Sequence, residues 1–300
     1  MLKGLLANRE LKERLEKALS EGHLPHGVLL CGEDGLGCGY AARLLAAEYL
    51  EPENELRYAQ AAQGCHPECT EVIGTGAAGL IKVDQIRQVR AAMQETALSG
   101  TGRVVIIRDA HRMGAGAANA LLKILEEPPE GVLFILTAPS AGAVLPTLLS
   151  RCGVYSLSTV PKEECIAAVR EQFPSADGEL LFAVFGGRLG KCLWAAQDPA
   201  PLEGAIEAAE SAVKGDVYGL MCAFAPLEKD RPGAAERLQL LRFIAFAGVC
   251  GHRHPRLPAF SLPRAEALIG AVERAEAALA QNANLKLALT AFAARCGRIS

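Results

Sequence analysis

A glycine-rich segment near the start of the chain constrains its fold more than any other feature. Residues 32–39 read GEDGLGCG, and they lie between the apolar run Gly27 to Leu30 and an apolar, alanine-rich stretch over about Gly39 to Leu50. A strand, a glycine turn and a helix in this order form the frame of a phosphate-binding loop, whose backbone N–H groups surround a phosphate. The segment therefore predicts an α/β domain that begins with such a loop.

The loop keeps this frame but lacks the side chains that give it its chemistry. A loop of the form GxxxxGK[ST] needs a lysine for the β- and γ-phosphates and a hydroxyl for Mg²⁺. Gly32 and Gly37 occupy the two glycine positions, but Cys38 and Gly39 stand where the lysine and the hydroxyl belong. We therefore expect no bound nucleotide, metal or other cofactor at this loop.

Runs of β-branched residues alternate with helical patterns over the first half of the chain. Val104 to Ile107 and Val132 to Thr137 are typical of strands that are buried on both faces of a parallel sheet. The helix between them, Ala117 to Glu126, ends before Pro128, and we interpret Glu126 and Glu127 as residues that end it. Another helix begins near Lys82, with Asp84 as its expected N-cap.

The second half of the chain is almost wholly helical in pattern. Amphipathic segments cover Ala234 to Val249, Ala265 to Leu279 and Leu285 to Arg295. The change in composition near Ser158 predicts three domains. They are an α/β domain over 1–158, a small helical lid over 159–201 and an all-helical domain over 202–300.

Charge and cysteine content exclude several classes of protein. The 31 basic and 34 acidic residues give a net charge of −3, which argues against binding nucleic acid mainly by counterion release. The chain begins without the apolar core of a signal peptide, so its ten cysteines indicate a reducing, cytoplasmic location rather than disulfides. Cys65 and Cys69 are close in sequence, but no second pair lies at zinc-ligand spacing, and we predict no metal site.

Motifs spread over nearly the whole chain resemble those of the clamp-loader AAA+ family. Besides the loop, the chain contains HPE at 66–68, VDQIR at 83–87, AANALLKILEEPP at 117–129, SRC at 150–152 and NANLKLAL at 282–289. The AANALLKILEEPP segment and the SRC triplet are specific to clamp loaders. The resemblance implies an AAA+ parallel-sheet domain, a helical lid and a helical collar through which subunits assemble. One departure is the short segment 51–64, where family members usually carry a four-cysteine zinc module.

The resemblance also implies roles for individual residues. Arg108 and Asp109 stand where active members have the acidic pair that holds Mg²⁺, so lysine, hydroxyl and carboxylate are all missing and no ATPase activity is expected. The triplet Ser150, Arg151 and Cys152 is intact, and in the family its arginine reaches the ATP site of a neighbouring subunit. Guanidinium suits this role because it stays charged and donates paired bonds to phosphate.

The implied function is that of a non-catalytic subunit in a clamp loader during DNA replication. The implied partners are gamma/tau-type ATPase subunits, a delta-type clamp opener, the sliding clamp and primed DNA, with no membrane. One alternative is an independent P-loop ATPase that has substituted its lysine. Arg151 has an alternative reading as a surface residue that closes a short helix, and Thr137 has readings as a γ-phosphate sensor or as a structural residue.

Overall fold

The computed structural model describes Leu2 and residues 4–76, 79–93 and 102–297. The chain divides into two compact units, Met1–Val160 and Pro161–Ser300.

The first unit is built on a five-stranded parallel sheet. Its strands are β1 (Gly27–Cys31), β2 (Cys69–Val72), β3 (Arg103–Ile107), β4 (Val132–Ala138) and β5 (Cys152–Ser156). They lie in the order β2-β3-β4-β1-β5, and every neighbouring pair is parallel. The predicted α/β class with a parallel sheet is confirmed.

Helices cover both faces of this sheet. They are α1 (Arg9–Ser20), α2 (Cys38–Leu50), α3 (Glu55–Ala62), α4 (Val83–Ala92), α5 (Ala115–Glu126) and the single turn α6 (Pro146–Leu149). Alternate residues of β1 enter two separate cores, with Leu29 packing on the α4 and α5 side and Val28 on the α1 and α2 side. Because both faces are buried, the central strands are continuously apolar, as the sequence indicates.

Three details of this unit differ from the sequence-based expectations. Asp84 is not an N-cap, because α4 begins at Val83 and the N–H of Lys82 donates to the Gln85 side chain at 2.9 Å. Helix α3 was not predicted; its N-cap Asn54 accepts the N–H of Arg57 at 3.1 Å. Strand β5 was also not predicted, because it is a half-exposed edge strand without an apolar run.

The second unit is helical throughout its described residues. Its helices are α7 (Lys162–Gln172), α8 (Gly178–Phe185), α9 (Leu189–Gln197), α10 (Ala200–Lys214), α11 (Val217–Phe224), α12 (Arg231–Val249), α13 (Leu262–Ala280) and α14 (Leu285–Cys296). Edge-on aromatic pairs join distant helices, with ring centroids 5.5 Å apart for Phe185 and Phe243 and 5.6 Å apart for Phe224 and Phe292. The first pair crosses the boundary predicted between lid and collar, and that division stays a prediction.

A search of the helices in the described part of the chain found none with the length and apolar character needed to cross a membrane.

Candidate functional site

The glycine loop has the backbone of a phosphate-binding loop. It leaves the end of β1 at Gly32, whose N–H donates to the carbonyl of Ala138 at 3.0 Å. Gly35 and Gly37 have φ values of 90° and 89°, a left-handed conformation that glycine adopts without strain, and α2 begins at the next residue. The first N–H groups of a helix lack partners within it, so this frame still favours an anion.

The Cys38 side chain turns back into the loop. Its Sγ lies 3.6 Å from the carbonyl oxygen of Gly32, and a Cβ added to Gly32 would stand 2.8 Å from that sulfur. Burial raises the pKa of the Cys38 thiol to about 11, so the group is neutral at physiological pH. The lysine position therefore supplies no positive charge, while the exposed Glu33 and Asp34 add negative charge to the loop.

Arg108 fills the space beside Gly39 at the start of α2. A Cβ built on Gly39 would lie 2.5 Å from Cζ of Arg108 and 2.6 Å from its Nη1. A serine or threonine at position 39 therefore cannot share this space with the guanidinium in its present place. A side chain at position 39 therefore needs the Arg108 guanidinium to move, which links the two positions.

A single carboxylate holds this arginine and a second one. Glu71, on β2, accepts from Arg108 Nη1 at 3.0 Å through Oε1 and from Arg43 Nη2 at 2.8 Å through Oε2. The Glu71 side chain is only 15% exposed, and Arg43 reaches it from α2. One carboxylate on β2 therefore joins two guanidinium groups, one from α2 and one from the end of β3, and these three side chains together keep one positive charge.

The residue after Arg108 has an unusual backbone that is fixed by Thr137. Asp109 has φ of 55°, a conformation uncommon for a non-glycine residue, and its N–H donates to Thr137 Oγ1 at 3.0 Å. Thr137 is buried at the end of β4. Its hydroxyl thus bonds to the protein's own backbone, the contact expected of a structural residue.

The side chains present at the loop do not fit a magnesium–nucleotide complex. A neutral thiol replaces the ammonium, no hydroxyl is present at Gly39, and a guanidinium stands where a metal-binding carboxylate is required. No step of ATP hydrolysis can be derived for this loop.

The second predicted site lies at the other end of the sheet. Arg151 follows α6 and Ser150 and precedes β5. Its Nη1 donates to the carbonyl of Thr147 at 2.9 Å and to Ser150 Oγ at 3.2 Å, and its Nη2 donates to Glu126 Oε1 at 2.6 Å. The guanidinium remains about a third exposed.

Strand register separates the two sites. Cys152 pairs with Gly27 at the amino ends of β5 and β1, and Ser156 pairs with Cys31 at their carboxyl ends. Gly32 lies five residues after Gly27, so at about 3.3 Å per residue about 16 Å separates Cys152 from the loop along the strand direction, and Arg151 lies one residue further away. The structure therefore does not bring Arg151 together with Cys38, Gly39 and Arg108.

Sequence reasoning missed two carboxylates that organise these sites. Glu71 belongs to a short strand with no motif of its own, and only the β2–β3 pairing places it beside Arg108. Glu126 is the last residue of α5, which agrees with its interpretation as a helix end, but its ion pair with Arg151 was not foreseen.

The cysteines near these two sites do not form a metal-binding cluster in the described residues. In the described residues no three His, Cys, Asp or Glu side chains come together in a way that could hold a metal ion. Cys65 is exposed, whereas burial raises the pKa of the Cys69 thiol to about 11. Burial likewise raises the pKa of the Cys152 thiol to about 11, beside Arg151. The absence of zinc stays a prediction.

A known protein family matches nearly the whole of the first unit. The family model described as DNA polymerase III, delta subunit, matches residues 7–161, which is just over half of the chain. This chain belongs to that family. The clamp-loader resemblance inferred from the motifs is thereby confirmed. The family match covers the loop, Glu71, Arg108 and Arg151, and so includes both sites described above.

Individual relatives agree with this assignment. The DNA polymerase III subunit delta' of Haemophilus influenzae is 30% identical over 189 residues, covering 61% of this chain and 57% of that protein. The gamma subunit of Buchnera aphidicola is 28% identical over 166 residues, covering 53% of this chain and 46% of that protein. The matches thus span about half the length of the curated relatives.

A solved structure supports the fold of this delta-subunit family member over most of its length. A DNA polymerase III gamma subunit-related protein from Thermotoga maritima superposes with a TM-score of 0.55 at 20% identity. The superposition covers 95% of this chain and 99% of that one. This likeness shows that the two chains share a fold.

Proposed function

We propose that this protein is a non-catalytic subunit of a DNA polymerase III clamp loader, and that it supplies Arg151 to the ATP site of a neighbouring subunit. The family match and the delta' relatives support the clamp-loader part of the proposal. The loop supports the non-catalytic part, because Arg108 fills the place beside Gly39 and Cys38 carries no charge.

The position of Arg151 is the observation that carries the proposal. It lies at the amino end of β5, on an edge strand of the sheet and far from the chain's own loop. Two of its N–H groups have no partner among the described residues, and a guanidinium with free paired donors is suited to phosphate. The distance from the chain's own loop supports a role for Arg151 at a phosphate that a neighbouring chain holds.

The proposed partners follow from the same assignment. They are gamma/tau-type ATPase subunits, a delta-type clamp opener and, through the complex, the sliding clamp and primed DNA in the cytoplasm. Residues 202–300 would form the collar, with residues 159–201 as the lid. Exposed apolar side chains support a collar surface, since Tyr218 on α11 is 77% exposed and Leu287 on α14 is 70% exposed.

The test is the clamp- and DNA-stimulated ATPase of a loader reconstituted with the wild-type chain or with Arg151→Ala. Loss of an arginine finger costs on the order of 10³-fold at the affected site, so the loader's rate should fall, by less than this because other sites remain. Arg151→Lys should recover only part of the rate, because an ammonium lacks the planar fork. Arg170→Ala, on exposed α7, is the control and should leave the rate unchanged.

Assembly must be measured on the same samples by gel filtration. Equal ATPase rates for wild-type and Arg151→Ala loaders, with equal assembly, would show that Arg151 is only a surface residue that closes α6.

A further inference from the structure

We propose that Glu126 is a positioning residue that holds the Arg151 guanidinium ready for a phosphate of the neighbouring subunit. This inference rests on the proposed function of Arg151. Its basis is the 2.6 Å contact between Glu126 Oε1 and Arg151 Nη2, which joins the end of α5 to the end of α6.

The hydrogen bonds of Arg151 leave a usable pair of donors. A guanidinium has five N–H groups. Both bonds from Nη1 go to Thr147 and Ser150, and one bond from Nη2 goes to Glu126. What remains without a partner among the described residues is Nε–H and one hydrogen of Nη2. These two donors lie on neighbouring nitrogens of the guanidinium and remain available to oxygens of a phosphate.

The contacts also restrict how the guanidinium can turn. Thr147 and Ser150 hold one edge of the plane, and Ser150 Oγ is itself fixed by donating to the Thr147 carbonyl at 3.0 Å. Glu126, at the end of α5, accepts from Nη2 and so holds a second part of the guanidinium. A long, flexible side chain fixed at two points loses less freedom when it meets its target, which is the advantage of a preorganised catalytic group.

Glu126 is anchored through its backbone, while its side chain is about half exposed. It is the last residue of α5, whose inner face packs in the core through Leu121 and Ile124, and Pro128 and Pro129 restrict the chain just beyond it. The adjacent Glu127 is exposed and forms no ion pair in the described residues. The two glutamates therefore form a matched pair, one in contact with Arg151 and one not.

The experiment measures kcat and KM for ATP with reconstituted loader that contains Glu126→Ala, Glu126→Gln, Glu127→Ala or Arg151→Ala. Glu126→Ala should lower kcat by about threefold with little change in KM, since misplacing a positioned group costs rate rather than ground-state binding. Glu126→Gln keeps an acceptor oxygen and should retain at least half of the wild-type kcat. Glu127→Ala should behave as wild type.

A double variant separates positioning from a general structural effect. If Glu126 acts through Arg151, then Glu126→Ala combined with Arg151→Ala should be no slower than Arg151→Ala alone. Melting temperatures of all variants check that the chains are folded.

The outcomes also separate this inference from the proposed function. A lower rate for Arg151→Ala with an unchanged or higher rate for Glu126→Ala would overturn the positioning role alone, and a higher rate would mean that Glu126 restrains the arginine. An unchanged rate for Arg151→Ala would overturn both.

Discussion

Two arginines at opposite ends of one sheet have contrasting surroundings. Arg108, at the carboxyl end of β3, packs on Gly39 and bonds to a carboxylate that also holds Arg43. Arg151, at the amino end of β5, keeps two N–H groups without partners in the described residues. The two arginines differ in the carboxylate they meet, because Glu71 is 15% exposed and is shared by two guanidinium groups, whereas Glu126 is 50% exposed and pairs with Arg151. Arg108 fills the space beside Gly39, and under the proposed function Arg151 serves a group outside the chain.

The largest expected difference between the two ends is in stability. Glu71→Ala should lower the free energy of unfolding by about 2 kcal/mol, because it leaves two partly buried guanidinium groups facing each other without their shared carboxylate. Glu126→Ala should cost no more than about 0.5 kcal/mol, because its ion pair is more exposed. Urea unfolding followed by circular dichroism measures both, and similar losses for the two variants would remove the distinction.

A smaller loss in the free energy of unfolding is expected when position 39 carries a larger side chain. Gly39→Thr should destabilise the protein by about 1 to 2 kcal/mol, because the new side chain and the Arg108 guanidinium compete for one volume. In an Arg108→Ala background the same substitution should cost less than half as much. Equal costs in the two backgrounds, measured by the same unfolding assay, would show that positions 39 and 108 are not coupled.

The two ends of the sheet can also be compared through the reactivity of their thiols, Cys38 and Cys152. Burial raises the pKa of both Cys38 and Cys152 to about 11, and the thiolate is the reactive form. At pH 8 iodoacetamide should therefore modify both at least about tenfold more slowly than the exposed Cys65, and each pH unit below 11 should raise their rates about tenfold. Peptide mass spectrometry gives the rates. Labelling of Cys38 as fast as that of Cys65 would contradict its buried, neutral state.

The last prediction concerns ATP hydrolysis by the isolated chain, for which no effect is expected. The purified chain should hydrolyse no ATP above background, and Cys38→Lys should not change this, because Gly39 and Arg108 still provide no metal ligand. Phosphate release by the isolated chain is the measurement. Robust turnover that is lost when the loop is mutated would favour the alternative of an independent P-loop ATPase.

The sequence predicts those parts of the structure that depend on local pattern. Continuous apolar runs identify β1, β3 and β4, and glycine spacing identifies the loop, because each is determined by a few adjacent residues. It does not identify β5, whose half-exposed pattern resembles a loop, or the true start of α4, where Gln85 rather than Asp84 bonds to the backbone.

The contacts of the candidate sites depend on tertiary structure. The sequence shows directly that positions 38, 39 and 108 lack the lysine, the hydroxyl and the carboxylate. It does not show which contacts take their place. Glu71 lies 37 residues from Arg108 and Glu126 lies 25 residues from Arg151, so only the folded sheet and helices bring each pair together. Propensity and motif rules describe short segments, and neither ion pair leaves a signal within one.

The packing of Arg108 on Gly39 has an evolutionary consequence. A mutation that restores a hydroxyl at position 39 meets the guanidinium, one that restores an acid at 108 places it near Glu71, and one that restores lysine at 38 finds no metal ligand. Each single step back towards an ATPase therefore gains nothing, and the first two carry a cost in stability. Under the proposed function, ATPase activity could arise only through several substitutions at once, and the chain would stay dependent on its neighbours.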